Sequence, residues 1–447
     1  MRVLLIQLPV EDFYTTPIRL YPLGLLYAAS TLIHLGATVR ILDCLSPLKK
    51  KQLPIPDDFE YMKRFIDREP LLFRHFYRFG LDPASILQAA REFEPDLIGI
   101  SSQFTAYYKS VAELAALLKT QSNIPIFLGG NHATVFADEI LATTPAVDHV
   151  LRGPAEQALP PFIADFQGTM DAASRSMEWR NLLPAHELIE AASYRMGRDP
   201  YVSLTASRGC PYTCDFCSVH AMFGRQIRYR PVEAVLSEMM DCARVRKTRI
   251  FNFEDDNIAV NSNWFGRLLE MICSASFPGE IELTAMNGIG YTHLDLELLE
   301  LMRRAGFRQL NLSYVTHDPK LRNGHGRPPE REALEPIVTS ARRLGFFITV
   351  YLIIGLPEQR YGEIKKTIDF LLDMGVLVGP SVFYIPPGSD LFPRLDLPPG
   401  IARNWNLYRS SAFAVETKHL KRDDLVRLFV YTRHRNLENR KAGNRNL

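Results

Sequence analysis

The chain has 447 residues, 47% of them hydrophobic and 23% charged, with a formal net charge of +2. That length calls for two large domains or about three smaller ones, and the near-neutral balance argues against a protein that coats nucleic acid, leaving room only for a local basic patch. No stretch reaches the roughly 20 continuous apolar residues of a membrane span, and Cys44, Cys242 and Cys273 are scattered without a pairing pattern, which predicts a reducing compartment, the cytoplasm.

Met1-Arg2-Val3-Leu4-Leu5-Ile6-Gln7 is too short for a signal peptide and reads as a first strand, buried on both faces. Pro22-Leu23-Gly24 opens a helical pattern from Leu25 to Leu35, closed by Gly36, and Thr38 to Asp43 is the next strand. Residues 46 to 80 break the rhythm; dense in Arg and aromatics from Phe59 to Phe79, they predict an inserted amphipathic helix or two with a solvated basic face, the alternative being a lid or a membrane-surface contact. Alternation then returns. A helix from about Pro83 to Phe93 is followed by the strand Pro95 to Ser101, a helix from Lys109 to Lys119, the strand Ile124 to Leu128, a Gly129-Gly130-Asn131-His132 turn and a last strand, Asp148 to Leu151. Such alternation predicts an open, mostly parallel, doubly wound sheet with helices on both faces. Its ligands belong outside the carboxyl ends of the strands, where Ser101 to Thr105, Gly129 to Thr134 and Arg152 to Glu156 fall.

Residues 166 to 195 read as a linker. A second domain, 196 to 395, opens with the strand Tyr201 to Leu204 and the loop Ser207-Arg208-Gly209-Cys210-Pro211-Tyr212-Thr213-Cys214-Asp215-Phe216-Cys217. Five further strand–helix units follow, with strands at Arg249 to Phe253, Glu280 to Ala285, Leu310 to Tyr314, Phe347 to Ile354 and Ser381 to Ile385, and helices that include Leu294 to Ala305 and Arg331 to Leu344. Six units rather than eight predict a partial, open (β/α)6 barrel with its chemistry at the carboxyl ends of the strands. From 396 on, Ile401 to Phe413 and Asp423 to Thr432 read as helical, and the basic tail from Arg433 reads as frayed.

Three of the six cysteines, Cys210, Cys214 and Cys217, are spaced C-x3-C-x2-C. Thiolates select iron–sulfur clusters, zinc or copper. A four-iron cluster on three cysteines would leave one iron open to a ligand, whereas the same three with His220 spell a closed zinc site. The acidic run Glu254-Asp255-Asp256, at a strand end, also fits a helix N-cap with Asn257.

The cysteine loop, with Phe216 before its third cysteine, closely resembles that of the radical S-adenosylmethionine (radical SAM) superfamily. The resemblance implies a [4Fe–4S] cluster on Cys210, Cys214 and Cys217 whose open iron chelates S-adenosylmethionine, and a 5′-deoxyadenosyl radical as its product. It implies an S-adenosylmethionine site formed by Phe216, Glu254, Asp255, Ser313, Ile353 and Gly355, with Asn311 and Thr316 as further hydroxyl or amide donors. Arg228 and Arg230 match an Arg-x-Arg stretch of the family, and Pro386-Pro387-Gly388-Ser389 its closing loop. The first 165 residues resemble the cobalamin-binding domain fused upstream of many of these enzymes, through Tyr21-Pro22-Leu23-Gly24-Leu25-Leu26-Tyr27, Ile98-Gly99-Ile100-Ser101, Leu128-Gly129-Gly130-Asn131-His132-Ala133-Thr134 and Val147-Asp148-His149-Val150-Leu151-Arg152-Gly153. That implies cobalamin contacts from Ser101, Ser102, Thr105, Gly129, Gly130, His132, Gly153 and Glu156. There is no Asp-x-His-x-x-Gly motif, so no histidine is expected beneath cobalt, and the usual Gly-Glu-Gly-Glu is Gly153-Pro154-Ala155-Glu156 here.

Together these resemblances imply methyl transfer to an unactivated carbon of a small metabolite, with an electron donor such as flavodoxin or ferredoxin. Cyclisation or rearrangement without methyl transfer is the first alternative; a zinc-stabilised binding protein without catalysis is the second, and a radical enzyme whose first domain is structural or binds substrate rather than cobalamin is the third. No basic stripe with interleaved aromatics points to nucleic acid. Greasy cavity walls are expected around Ile354, Leu356 and Ile385.

Overall fold

In a computed structural model the described residues are 1–16, 21–46, 48–169, 177–327 and 334–441. Strand β1 (Arg2–Gln7) is fully buried from Val3 to Ile6, as its apolar run requires. β2 (Val10–Asp12) follows, then β3 (Thr38–Asp43), β4 (Lys50–Leu53), β5 (Phe76–Phe79), β6 (Leu97–Ser101), β7 (Ile126–Gly129) and β8 (His149–Val150). The main sheet of the first domain is all parallel in the order β3-β1-β6-β7-β8. This is the flavodoxin-like doubly wound order, whose switch point lies between β1 and β6.

The 46–80 insertion differs from the expectation of one or two helices. β5 pairs with β2 on one side and β4 on the other in a separate three-stranded antiparallel sheet, and among the described residues of the insertion only Asp57–Met62 and Lys63–Ile66 are helical. The aromatics that suggested an amphipathic helix instead form a packed cluster, with Phe59 and Phe76 each edge to face with Phe13.

The second domain carries β9 (Arg195–Met196), β10 (Asp199–Leu204), β11 (Ser207–Arg208), β12 (Arg228–Tyr229), β13 (Ile250–Phe253), β14 (Glu282–Thr284), β15 (Gln309–Ser313), β16 (Phe347–Ile354) and β17 (Leu377–Val382). β10, β13 and β14 are parallel neighbours, as are β15, β16 and β17. Isolated parallel bridges Leu283–Phe307 and Ile289–Leu312 join the two groups into one partial barrel of six strands. The last strand starts earlier than the expected Ser381. Local capping rules hold: Asp295 accepts from the Leu298 N–H at 2.8 Å at the start of Leu296–Ala305, and Gly306 ends it at φ +115°. The expected start of the next helix at Arg331 lies outside the described residues; its described part is Leu334–Arg343.

The segment 177–195 is not loose. Trp179 is buried, and His186 bridges Tyr21 (2.5 Å) to Glu238 (3.0 Å), which also takes Arg230 at 2.5 Å. The C-terminal region differs from two plain helices: short turns at Pro399–Ala402, Trp405–Leu407 and Ser410–Ala412 precede one long helix, Arg422–Lys441. The tail expected to fray from Arg433 is therefore helical to Lys441, held by Asn436, whose side-chain N–H donates to the Val378 carbonyl at 2.8 Å. Residues 442–447 lie outside the described part. No helix among the described residues is long and apolar enough to cross a membrane.

Candidate functional site

The cysteine loop leaves the carboxyl end of β10 and is gripped from three sides. From β13, the Asp255 carboxylate accepts the Ala206 N–H (3.1 Å), the Ser207 N–H and the Ser207 hydroxyl (2.5 Å), and Asp256 accepts the Gly209 N–H at 2.9 Å. From the turn after β15, His325 Nδ1 lies 2.8 Å from Asp215, and the Asp215 N–H donates to the His325 carbonyl. From beyond β17, Arg394 donates to Asp215 at 2.6 Å. Gly326 has φ +63°, and a Cβ there would run into the Thr213 carbonyl, so only glycine lets this turn approach the loop.

Cys210, Cys214 and Cys217 are mutual electrostatic neighbours, and burial pushes all three thiols up, Cys217 to about 11. Cys210 and Cys217 remain partly exposed, as cluster assembly and a ligand on an open iron require. The zinc alternative fits less well. His220 Nε2 faces the Cys210 carbonyl oxygen at 3.2 Å rather than the thiols. Three thiols spread along one loop suit the corners of a cluster.

At the barrel mouth, Glu254 accepts from Asn252 (2.5 Å), Ser203 (3.3 Å) and Asn287 (3.1 Å), and its side chain stays partly exposed. Asp255 is buried and spent on the loop backbone; burial, opposed by its hydrogen bonds, lifts its carboxyl to about 7. Among the hydroxyl and amide candidates in and just after β15, Asn311 donates to the Ala285 carbonyl and Thr316 to Glu363, both buried, while Ser313 is half-exposed. Phe216 lies edge-on to His325, and it and the partly exposed Ile353 both pack against the apolar cluster that includes Leu356 and Ile385. Gly355, at φ +100°, turns the chain while Gln359 accepts its N–H at 2.8 Å; its missing side chain makes room for Leu425. Arg230 is buried on Glu238, not on the cysteine loop. Ile354, Leu356 and Ile385 are fully buried core residues, so they are not the expected cavity walls.

At the carboxyl edge of the first sheet, Ser101, Ser102, Thr105, Gly129, Gly130, His132 and Gly153 come together along the ends of β6, β7 and β8. Gly130 (φ +117°) lies so close to the Ser102 carbonyl that a Cβ would sit 2.7 Å from it, whereas the Cβ positions of Gly129 and Gly153 are open space. His132 Nδ1 meets Thr105 at 3.0 Å, and burial lowers its ring to about 3, so it is neutral. Ser102 Oγ, Asn131 Oδ1 and His132 Nε2 are buried without a partner. Three such orphans beside open space fit a polar ligand that lies along this edge. Glu156 does not join them; it is buried 2.5 Å from Arg208.

Residues that the sequence reading missed close the site. At the β1/β6 switch point, Arg409 of the C-terminal region pairs with Asp12 (3.2 Å) and donates to the Glu11 (2.7 Å) and Ala106 (2.5 Å) carbonyls, while Ser411 donates to Asp12 at 2.8 Å. Trp405 packs on His132, Phe136 and Tyr108. No local motif marks these residues; they lie far along the chain from their partners, Arg409 by 398 positions from Glu11 and by 303 from Ala106. The two domains meet edge to edge. The helix Asn131–Val135 faces Val219–Phe223, which follows the cysteine loop: the Thr134 hydroxyl is 3.9 Å from Met222 Sδ, and Gly388 is wedged against Val135 and Ala221.

Residues 75–163 match the B12 binding domain family, and residues 204–371 match the radical SAM superfamily. An uncharacterised methyltransferase of Pyrococcus horikoshii is 22% identical over 77% of this chain and 79% of its own length. The hopanoid C-3 methylase of Methylococcus capsulatus is 27% identical over 75% of this chain and 70% of its own. Among solved structures, the radical S-adenosylmethionine methyltransferase TsrM from Kitasatospora setae, with cobalamin and a [4Fe–4S] cluster bound, has the same fold, with a TM-score of 0.64 at 16% identity over 88% of this chain and 74% of that one.

Proposed function

We propose that this chain, which belongs to the radical SAM enzymes carrying a B12-binding domain, transfers a methyl group to an unactivated carbon of a small metabolite. The observation that carries the reading is the edge-to-edge packing of the two domains, since both ligand-binding edges are strand carboxyl ends and they open toward one another. Bound there, a [4Fe–4S] cluster would supply the electron that splits S-adenosylmethionine into methionine and a 5′-deoxyadenosyl radical, and cobalamin would supply the methyl group.

The chain's own residues hold and screen these groups. Cys210, Cys214 and Cys217 would ligate the cluster, and Asp255, Asp256 and His325 fix the loop that carries them. Glu254 presents a carboxylate suited to the ammonium of S-adenosylmethionine, Ser313 a hydroxyl suited to ribose, and Phe216 and Ile353 apolar faces suited to adenine. Ser101, Ser102, Thr105, Gly129, Gly130, His132 and Gly153 line the cobalamin edge, with His132 as a neutral hydrogen-bonding group. Glu156 and Gly355 support the site without lining it. An oxygen-sensitive cluster and free cysteines suit a cytoplasmic enzyme reduced by a donor such as flavodoxin or ferredoxin.

The test is anaerobic reconstitution with iron and sulfide, then hydroxocobalamin, followed by turnover with methyl-labelled S-adenosylmethionine. Methyl transfer consumes two S-adenosylmethionine molecules per product, so 5′-deoxyadenosine and S-adenosylhomocysteine should both appear and label should reach the product. Turnover that gives 5′-deoxyadenosine alone and an unlabelled product would make this a cyclase or a rearrangement enzyme.

A further inference from the structure

We propose that the Glu156–Arg208 ion pair is a positioning device that fixes the gap between the two cofactor edges; this rests on the reading of those edges given above. Glu156 lies in the first turn of the helix Ala155–Phe166, three residues past Gly153 on the first-domain rim. Arg208 lies in β11, two residues before Cys210. Their Nη1–Oε1 distance is 2.5 Å, and both side chains are buried. The Arg208 guanidinium lies over the Tyr27 ring at 4.5 Å and the Trp179 ring at 4.4 Å, so its plane is held as well as its charge. The pair thus joins the loop that carries the cysteines to the rim of the other domain by a path only a few residues long on each side.

The first domain is also tied to the barrel through Tyr21, His186 and Glu238, and to the C-terminal region through Arg409 on Asp12, but at the two cofactor edges themselves the remaining contacts do not specify a register so sharply. Thr134 against Met222, and Gly388 between Val135 and Ala221, are contacts of van der Waals type that permit small slides. A buried ion pair does not permit them: sliding would leave two charges without partners in a low-dielectric interior. Chemistry divided between two domains needs that fixed spacing, because a displacement on the order of 1 Å between reacting centres is costly.

The test uses the full, iron-loaded chain carrying L141C, labelled with nitroxide there and at the native Cys273. Leu141 is exposed on the first domain and Cys273 is exposed on the barrel, while the three loop cysteines are protected by the cluster. The parent should give a single narrow interspin distance by pulsed electron paramagnetic resonance. E156Q, which removes the charge, and R208K, which loses the stacked guanidinium plane, should each lose that narrow distance, whereas E156D, which keeps the charge opposite an intact guanidinium, should retain it. In the two Glu156 variants iron content and 5′-deoxyadenosine formation from S-adenosylmethionine with dithionite should stay at the parent level, because both depend on the barrel and Glu156 lies on the first domain. A narrow distance preserved in both E156Q and R208K overturns the proposal. So does failure of both variants to fold or to keep iron, since the pair would then hold the fold and not the gap. A parent that takes up no cobalamin refutes the proposed function and leaves this distance measurement intact.

Discussion

Asp255 offers the sharpest test of how the cysteine loop is held. Its carboxylate takes two backbone N–H groups, of Ala206 and Ser207, and the Ser207 hydroxyl, all buried. In Asp255→Ala the hydroxyl can turn to another acceptor, but the two N–H groups cannot, and each buried unpaired donor costs about 1–3 kcal/mol, or roughly 2–6 kcal/mol together. The cost depends on pH, and its sign follows from burial. The folded carboxyl, lifted to about 7, keeps a proton that the unfolded chain has already released above its ordinary value of 3.8. The parent therefore loses stability as pH rises through that window, by about 3 kcal/mol between pH 5 and pH 8. Alanine has no such term. Its destabilisation should be near the full value at pH 5 and should shrink by about 3 kcal/mol at pH 8. Guanidinium denaturation of the metal-free, reduced chain at both pH values measures this, with iron uptake after reconstitution as the loop's own readout. An alanine variant within about 0.5 kcal/mol of the parent at pH 5 would show that the loop does not depend on this carboxyl group, and a pH-independent difference would show that the folded chain does not hold its proton to about 7.

Alanine at Cys210, Cys214 or Cys217 should abolish the uptake of about four iron atoms per chain and the release of 5′-deoxyadenosine, while alanine at Cys44, Cys242 or Cys273 should preserve both; zinc retained without iron would contradict the cluster. Gly326→Ala forces a methyl against the Thr213 carbonyl at φ +63° and should lower iron retention while the far-ultraviolet circular dichroism of the barrel persists; unchanged iron would mean that the turn can withdraw without moving the loop. Arg409→Ala strands the buried Asp12 carboxylate and should cost about 3–5 kcal/mol, visible in the thermal midpoint, with Lys recovering only part. His132→Ala should weaken cobalamin binding yet leave the absorption spectrum of the bound cofactor unshifted; a shift typical of a lost axial nitrogen would make His132 a cobalt ligand.

Much of this could be read in the sequence because the information is local. The apolar run Val3 to Ile6, the cap of Leu296–Ala305 and the C-x3-C-x2-C loop each state their structure within a few residues. The insertion misled because its aromatics were judged by composition, which cannot tell an amphipathic helix from strands packed on a shared cluster. The apolar residues Ile354, Leu356 and Ile385 misled for a similar reason: being apolar at a strand end does not distinguish a cavity wall from core.

By itself the sequence determined the two parallel folds, their order along the chain, the three cysteines and the glycine-rich edge, because strand period, helix caps and ligand spacing are short-range properties. Only the tertiary structure decided what the long-range partners are. Asp255 braces the loop, Glu156 meets Arg208 across the domain boundary, and Arg409 returns from the C-terminal region to close the β1/β6 switch point over Asp12. The physical reason is that a buried charge must find its counterpart wherever the packed domains bring one, and nothing in the residues next to it records where that will be.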